Sequence, residues 1–163
     1  MSAITDLSHT LWRQRRLLER LVYRLEVQQL LLAAGRTRWI STATADVEQV
    51  MDRLREEDLA RAVQVSAVGM ELGLGQEPSL RDLVEHAPAP WNDILREHQA
   101  AFLEMTSEVE ELTRHNRELL ARGYSSTRDL LAAMTDGQEV GGYSAAGSST
   151  SFRLPASTID RTV

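Results

Sequence analysis

Twenty-four Asp and Glu residues and four histidines are the stock from which this 163-residue chain could build acid–base or metal chemistry. Their spacing does not suit it. A carboxylate di-iron site in a helical protein needs Glu and His three residues apart on facing helices. Here Glu85-His86 and Glu97-His98 are adjacent, and Glu111 and His115 are four apart. His98 falls on an apolar stripe, where a core histidine is the simpler reading, and His9, His86 and His115 read as solvent-facing. Serine, histidine and aspartate are all present, but no nucleophile-elbow sequence holds a serine in the exposed geometry that acyl transfer requires. Gly69-Met70-Glu71-Leu72-Gly73-Leu74-Gly75 lacks the strand-to-helix context and the lysine of a phosphate-cradling loop, and reads as a helix end. With no cysteine, neither a disulfide framework nor a thiolate centre can form. The expectation is a protein that is not an enzyme and needs no cofactor or metal.

What remains is a surface, and the elements that would carry it are helical. Hydrophobic residues make up 42% of the chain but aromatics only 5%, a profile of one modest all-α domain. Leu11, Leu18, Leu25 and Leu32 recur every seven residues with Leu7 and Leu21 alongside, so Thr5 to Ala34 reads as a helix about 45 Å long that stops at Gly35. A second helix is expected from Thr37 to Leu72. Val47, Val50, Met51 and Leu54 form its apolar face, with Val63, Ala67 and Met70 continuing after a phase slip near Glu57 and Asp58. Ser79 and Asp82 resemble the cap of a short helix, Leu80 to Glu85, and Ala87-Pro88-Ala89-Pro90 forces a turn before Pro90 opens a last long helix.

That last helix is the most informative segment. Its heptad positions are Leu95, His98, Phe102, Met105, Val109, Leu112, Asn116, Leu119, Gly123, Ser126, Leu130 and Ala133. The register passes through Gly123 without a shift, so the helix is expected to continue to about Met134. The apolar repeat falters at Asn116, Gly123 and Ser126. An asparagine at such a position usually fixes helix pairing; the alternative is an exposed amide in a shallow notch with Gly123 and Ser126, where another helix docks by anchors at i, i+3, i+4 and i+7. Residues 1–135 thus form a helical domain. The Gly/Ser-rich stretch 136–163 is expected to be a disordered tail.

Charge divides the chain. Residues 1–40 hold seven arginines against three acidic residues, and the other eleven arginines face twenty-one acidic residues, together the net −6. The first helix is therefore expected to lie against the acidic Asp93 to Glu111 stretch. A nucleic-acid arm built from Arg13, Arg15, Arg16, Arg20 and Arg24 is disfavoured, because those arginines alternate with core leucines in an acidic chain. No apolar run reaches the roughly 20 residues of a membrane span, and the N-terminus lacks the order of a signal peptide, so a cytoplasmic protein is expected.

The segment LTRHNRELLARGYSSTRDLLAAM, followed by YSAAG, is similar to the C-terminal part of FlgN-like flagellar export chaperones. That family's long final helix carries an L-x-x-x-N-x-x-L-L pattern, matched by Leu112, Asn116, Leu119 and Leu120. Its tail carries Tyr-Gly-x-x-Gly, matched by Tyr143 and Gly147, with Ser144 where the motif has its glycine. The LLERLVYRLEVQQLLLAAGRTRW stretch and the layout of three long helices fit as well. The resemblance implies an elongated antiparallel bundle of three long helices with a short linking helix. It also implies a cytoplasmic chaperone that binds the helical C-terminal regions of hook-associated proteins and delivers them to the cytoplasmic domain of the flagellar type III export gate. The client would rest on Leu112, Asn116, Leu119, Leu120, Gly123, Ser126, Leu130 and Leu131, and Tyr143 and Gly147 would dock at the gate. The other reading is a coiled-coil oligomerisation or adaptor protein with no flagellar client, and weak homo-oligomerisation is compatible with either.

Overall fold

The computed structural model of the chain describes residues 3–135, and among them every regular element is helical. Helix α1 runs Ala3–Ala33, α2 Ile40–Glu71, α3 Leu80–His86 and α4 Trp91–Thr135, with a single 3₁₀ turn at Thr37–Trp39 leading into α2. The helix ends follow from local chemistry. Past α1, Gly35 adopts a left-handed φ of 64°. Its N–H donates to the Leu32 carbonyl and that of Arg36 to the Leu31 carbonyl, the paired bonds of a Schellman stop. Gly73, at φ 73°, ends α2 by the same device, with Gly73 N–H on Met70 and Leu74 N–H on Gly69. Gly69 itself must lack a side chain, because a Cβ there would stand 2.3 Å from the Gly75 carbonyl oxygen and 2.7 Å from the Pro78 ring. Helix α3 opens on a capping box. The Asp82 N–H donates to Ser79 Oγ at 3.1 Å and the Ser79 N–H to Asp82 Oδ2 at 2.9 Å. The Ser79 hydroxyl, which donates to Asp82 Oδ2 at 2.7 Å, and then the Ser79 N–H favour the ionised form and hold the Asp82 carboxyl below its usual range.

Helix α1 is the central element, with broad interfaces on α2 and on α4, and α3 packs against α4. Side-chain links fix the directions. Arg13 meets Glu57 and Gln14 Nε2 donates to Asp58, while Arg24 meets Asp46 and Gln28 Nε2 donates to Thr44. From Arg13 and Gln14 to Gln28 along α1, the partners run back from Glu57 and Asp58 to Thr44 along α2, so the two are antiparallel. Against α4 the order is the reverse: Trp12 and Arg15 lie by His98 and Glu97, and Leu25 and Gln28 lie by Asn116. α1 and α4 therefore run parallel where they meet, which amends the expectation of long helices packed antiparallel. The core is continuous through Leu7, Leu11, Leu21, Leu25, Val47, Met51, Leu54, Leu83, Leu95, Phe102 and Val109.

Two expectations change. No phase slip occurs in α2. At 100° per residue the buried Val47, Val50, Met51 and Leu54 share a sector with Asp58, Arg61, Val65, Val68 and Gly69, and Val63, Ala67 and Met70 fall on the opposite side. The structure agrees: Val68 and Gly69 are buried, and Val63, Ala67 and Met70 are exposed. Asp58 and Arg61 occupy the interface itself, and burial lowers the Arg61 pKa while Asp58 opposes the shift. Helix α1 does lie along the Asp93 to Glu111 stretch, as expected, but most of its paired arginines choose a different partner. Arg13 and Arg24 pair with α2, and only Arg15 approaches the acidic stretch of α4, at 3.9 Å from Glu97.

Candidate functional site

Helix α4 is built to outrun the body that holds it. Its 45 residues extend about 67 Å, against about 46 Å for the 31 residues of α1. The two run side by side from the Trp12–His98 contact to the Asn116–Leu25 contact. A few residues later α1 ends, and α4 goes on. Every residue from Ala121 to Thr135 is exposed, a projection of about 22 Å. Gly123 lies inside this stretch without ending it, as its uninterrupted register implied.

The packed half shows what the helix face is for. Leu95, His98, Phe102, Val109, Thr113 and Asn116 are buried, and at 3.6 residues per turn they occupy one sector about 60° wide. At its N-terminal end His98 is fully enclosed. Trp12 meets its ring edge-on, with centroids 5.1 Å apart, and Phe102 lies at 6.5 Å. Neither ring nitrogen has a hydrogen-bond partner, so His98 is held by packing. Burial, aided by the Arg15 guanidinium and opposed by Glu97, pushes its pKa down to about 4, and it is neutral near pH 7. Arg15 in turn stacks on Trp12, 4.3 Å from the ring centre.

At the other end, Asn116 Nδ2 donates to the Leu25 carbonyl oxygen at 2.9 Å and to Gln28 Oε1 at 3.0 Å. Gln28 passes the link on to Thr44 of α2. Asn116 is thus the pin that sets the register of all three long helices. It is buried rather than an exposed amide in a notch, because α1 still covers α4 at that level. Leu112 is half-buried against the core, on the same inner side.

Beyond the pin the same sector continues through Leu120, Thr127, Leu131 and Met134, with Tyr124 on its edge. Exposure there runs from 42% at Leu120 to 75% at Tyr124, with Leu130, Leu131 and Met134 between. Of the residues named from sequence, Leu119 is half-buried, and Leu120, Gly123, Leu130 and Leu131 form the open face and its flank. Ser126 is exposed but, like Ala133, swings more than about 100° from the centre of the stripe. Tyr124, Thr127 and Met134 are the residues that heptad counting missed. A straight helix drifts about 20° per heptad from a 3.5-residue repeat, so seven-residue counting from Leu95 leaves the true face by its fourth heptad step, at Gly123. Counting at 3.6 would have found them. Tyr143 and Gly147 lie outside the described residues.

Among the described residues no group of three or more His, Asp or Glu is placed to hold a metal ion, and no helix is long and apolar enough to cross a membrane. A helical body that extends one unpartnered, apolar-faced helix is the form of a protein-binding module. The chain matches the family model described as FlgN protein over residues 1–151, a span that includes all four helices, and it belongs to the FlgN family of flagellar export chaperones. That family is one of chaperones that bind flagellar proteins, not of enzymes. No curated protein and no solved structure matches the chain.

Proposed function

We propose that this protein holds the helical C-terminal region of a hook-associated flagellar protein on the α4 face from Leu119 to Met134. In the cytoplasm it would keep that client from assembling early and bring it to the cytoplasmic domain of the type III export gate. The observation that carries the reading is the continuity of the apolar stripe past the end of α1. An intramolecular interface continues, in register, into an exposed surface that needs a helix to complete it. Leu120, Tyr124, Leu131 and Met134 supply anchors at the spacing by which an amphipathic helix is received. Family membership supplies the class of client. Leu112 and Asn116 act from beneath, holding the root of the projecting helix against α1. The lone Tyr143, between glycines and small residues, is the aromatic we assign to the export gate together with Gly147.

The test is binding of a hook-associated C-terminal fragment by calorimetry. Leu120→Glu with Leu131→Glu should weaken it by about 100-fold or more while leaving the circular dichroism spectrum and melting temperature unchanged. Unchanged affinity would move the client elsewhere. Tyr143→Ala should keep the client and lose the gate domain in a pull-down; retained gate association would return docking to the helices.

A further inference from the structure

The place of any helix received on the open stripe is set by α1. Within the body, the sector of α4 that holds Leu95, Phe102, Val109 and Asn116 is filled by α1. A helix packed on the same sector further out, at the usual spacing of about 8–10 Å, stands on the line that α1 would follow if it went on. α1 does not go on. Equal steps of about 7.5 Å from the Gln28–Asn116 bond bring Ala33 level with Ala121. There the chain folds over through Ala34 to Trp39, all exposed, and enters α2. The turn is a floor across the foot of the stripe, and the space beside the projection, about 22 Å tall, takes about four turns of helix. A helix seated there has to end at the floor or bend away from it.

That floor is charged in one sense. From Val27 to Ala45 the sequence holds Arg36 and Arg38 and no acidic residue. Both arginines are exposed, and among the described residues neither forms an ion pair; Arg38 lies over the Trp39 ring, 4.7 Å from its centre. The flanking acids in sequence are Glu26 and Asp46, and Asp46 is bound to Arg24. The last carbonyls of α1 do not offset the charge, because Leu30, Leu31 and Leu32 already accept from Ala34, Arg36 and Gly35. A seated helix therefore meets positive charge at its inner end. Its two ends are not equal there. A helix N-terminus brings partial positive charge, whereas the C-terminus of a chain brings a carboxylate on top of the negative pole of the helix dipole. Resting on the function proposed above, we propose that the site takes the extreme C-terminal end of the client helix, antiparallel to α4, with its terminal carboxylate held by Arg36 and Arg38. The chaperone then reads where the client chain ends as well as its apolar face. A helix from the interior of a chain is disfavoured, since it must bend away at the turn and brings no carboxylate.

The probe is a synthetic hook-associated C-terminal fragment, made once with a free terminal carboxylate and once as the terminal amide, and titrated into the full chain by calorimetry. Amidation should weaken binding by about 10-fold, and Arg36→Ala with Arg38→Ala should weaken the free-acid fragment by a similar factor. Combined, the two changes should weaken binding little more than either alone, because both remove the same contact. The amide arm uses the unaltered chain, so a misfolded variant cannot mimic its result. Equal affinity for acid and amide, or losses that multiply when combined, would overturn the carboxylate contact. Loss of binding by Leu120→Glu with Leu131→Glu in that same case would leave the proposed function standing without it. Unchanged affinity in the leucine pair would refute the function and this inference together.

Discussion

From Leu95 to Asn116, α4 turns its apolar face to α1, and that face is buried. From Leu120 to Met134 the same face continues in the same 3.6-residue register and stands open. The two regions differ less in sequence than in what lies beside them: α1 ends at Ala33, and beyond it the stripe that α1 covered is exposed. One helix is thus an internal packing element over half its length and, on the function proposed above, a binding surface over the rest, with Asn116 at the boundary. Its two hydrogen bonds to α1 prevent the packed half from sliding into the place of the free half.

Truncation should expose the contrast most strongly. Phe102→Ala removes a ring from the packed half and should cost about 3–5 kcal/mol, read as a lower midpoint in urea unfolding. The Glu pair at 120 and 131 should cost less than about 0.5 kcal/mol in the same assay, because neither leucine is buried. A large stability loss from the Glu pair would mean that the open face is closed in solution.

Acid sharpens the comparison from the other side. His98, neutral in the folded state with a pKa near 4, ionises in the unfolded chain near 6.5, so the unfolded state binds more protons between those values. Stability should be full above pH 6.5 and fall as pH drops toward 4, by up to about 3 kcal/mol. His98→Phe should remove that slope, as judged from unfolding midpoints across the range, whereas His115→Phe, at an exposed position, should leave it in place.

Much of this was legible in the sequence, and the failures have one cause. Gly35 and Gly73 as stops, the Ser79–Asp82 cap, and a last helix running through Gly123 could all be read because each rests on local chemistry. The faces of α2 and α4 were misjudged where apolar residues were taken as the only marker of burial. In α2, Asp58 and Arg61 sit in the interface, so following the nearest valines and methionine led to the outer side. In α4, a seven-residue count drifted away from a stripe that repeats at 3.6, reaching Ser126 and Ala133 in place of Thr127 and Met134. The reach of α1 was the piece no periodicity carries. Whether Leu120 and Leu131 are core or surface depends on where a different helix stops.

Amide hydrogen exchange along α4 tests that division most directly. In the free protein, amides from Leu95 to Asn116 should be strongly protected and those from Leu120 to Thr135 should exchange orders of magnitude faster, as expected of a helix without tertiary contacts. Adding a hook-associated C-terminal fragment should slow exchange in the second stretch and leave the first unchanged. Equal protection of both stretches in the free chain, or client-induced protection confined to residues before Asn116, would contradict the account.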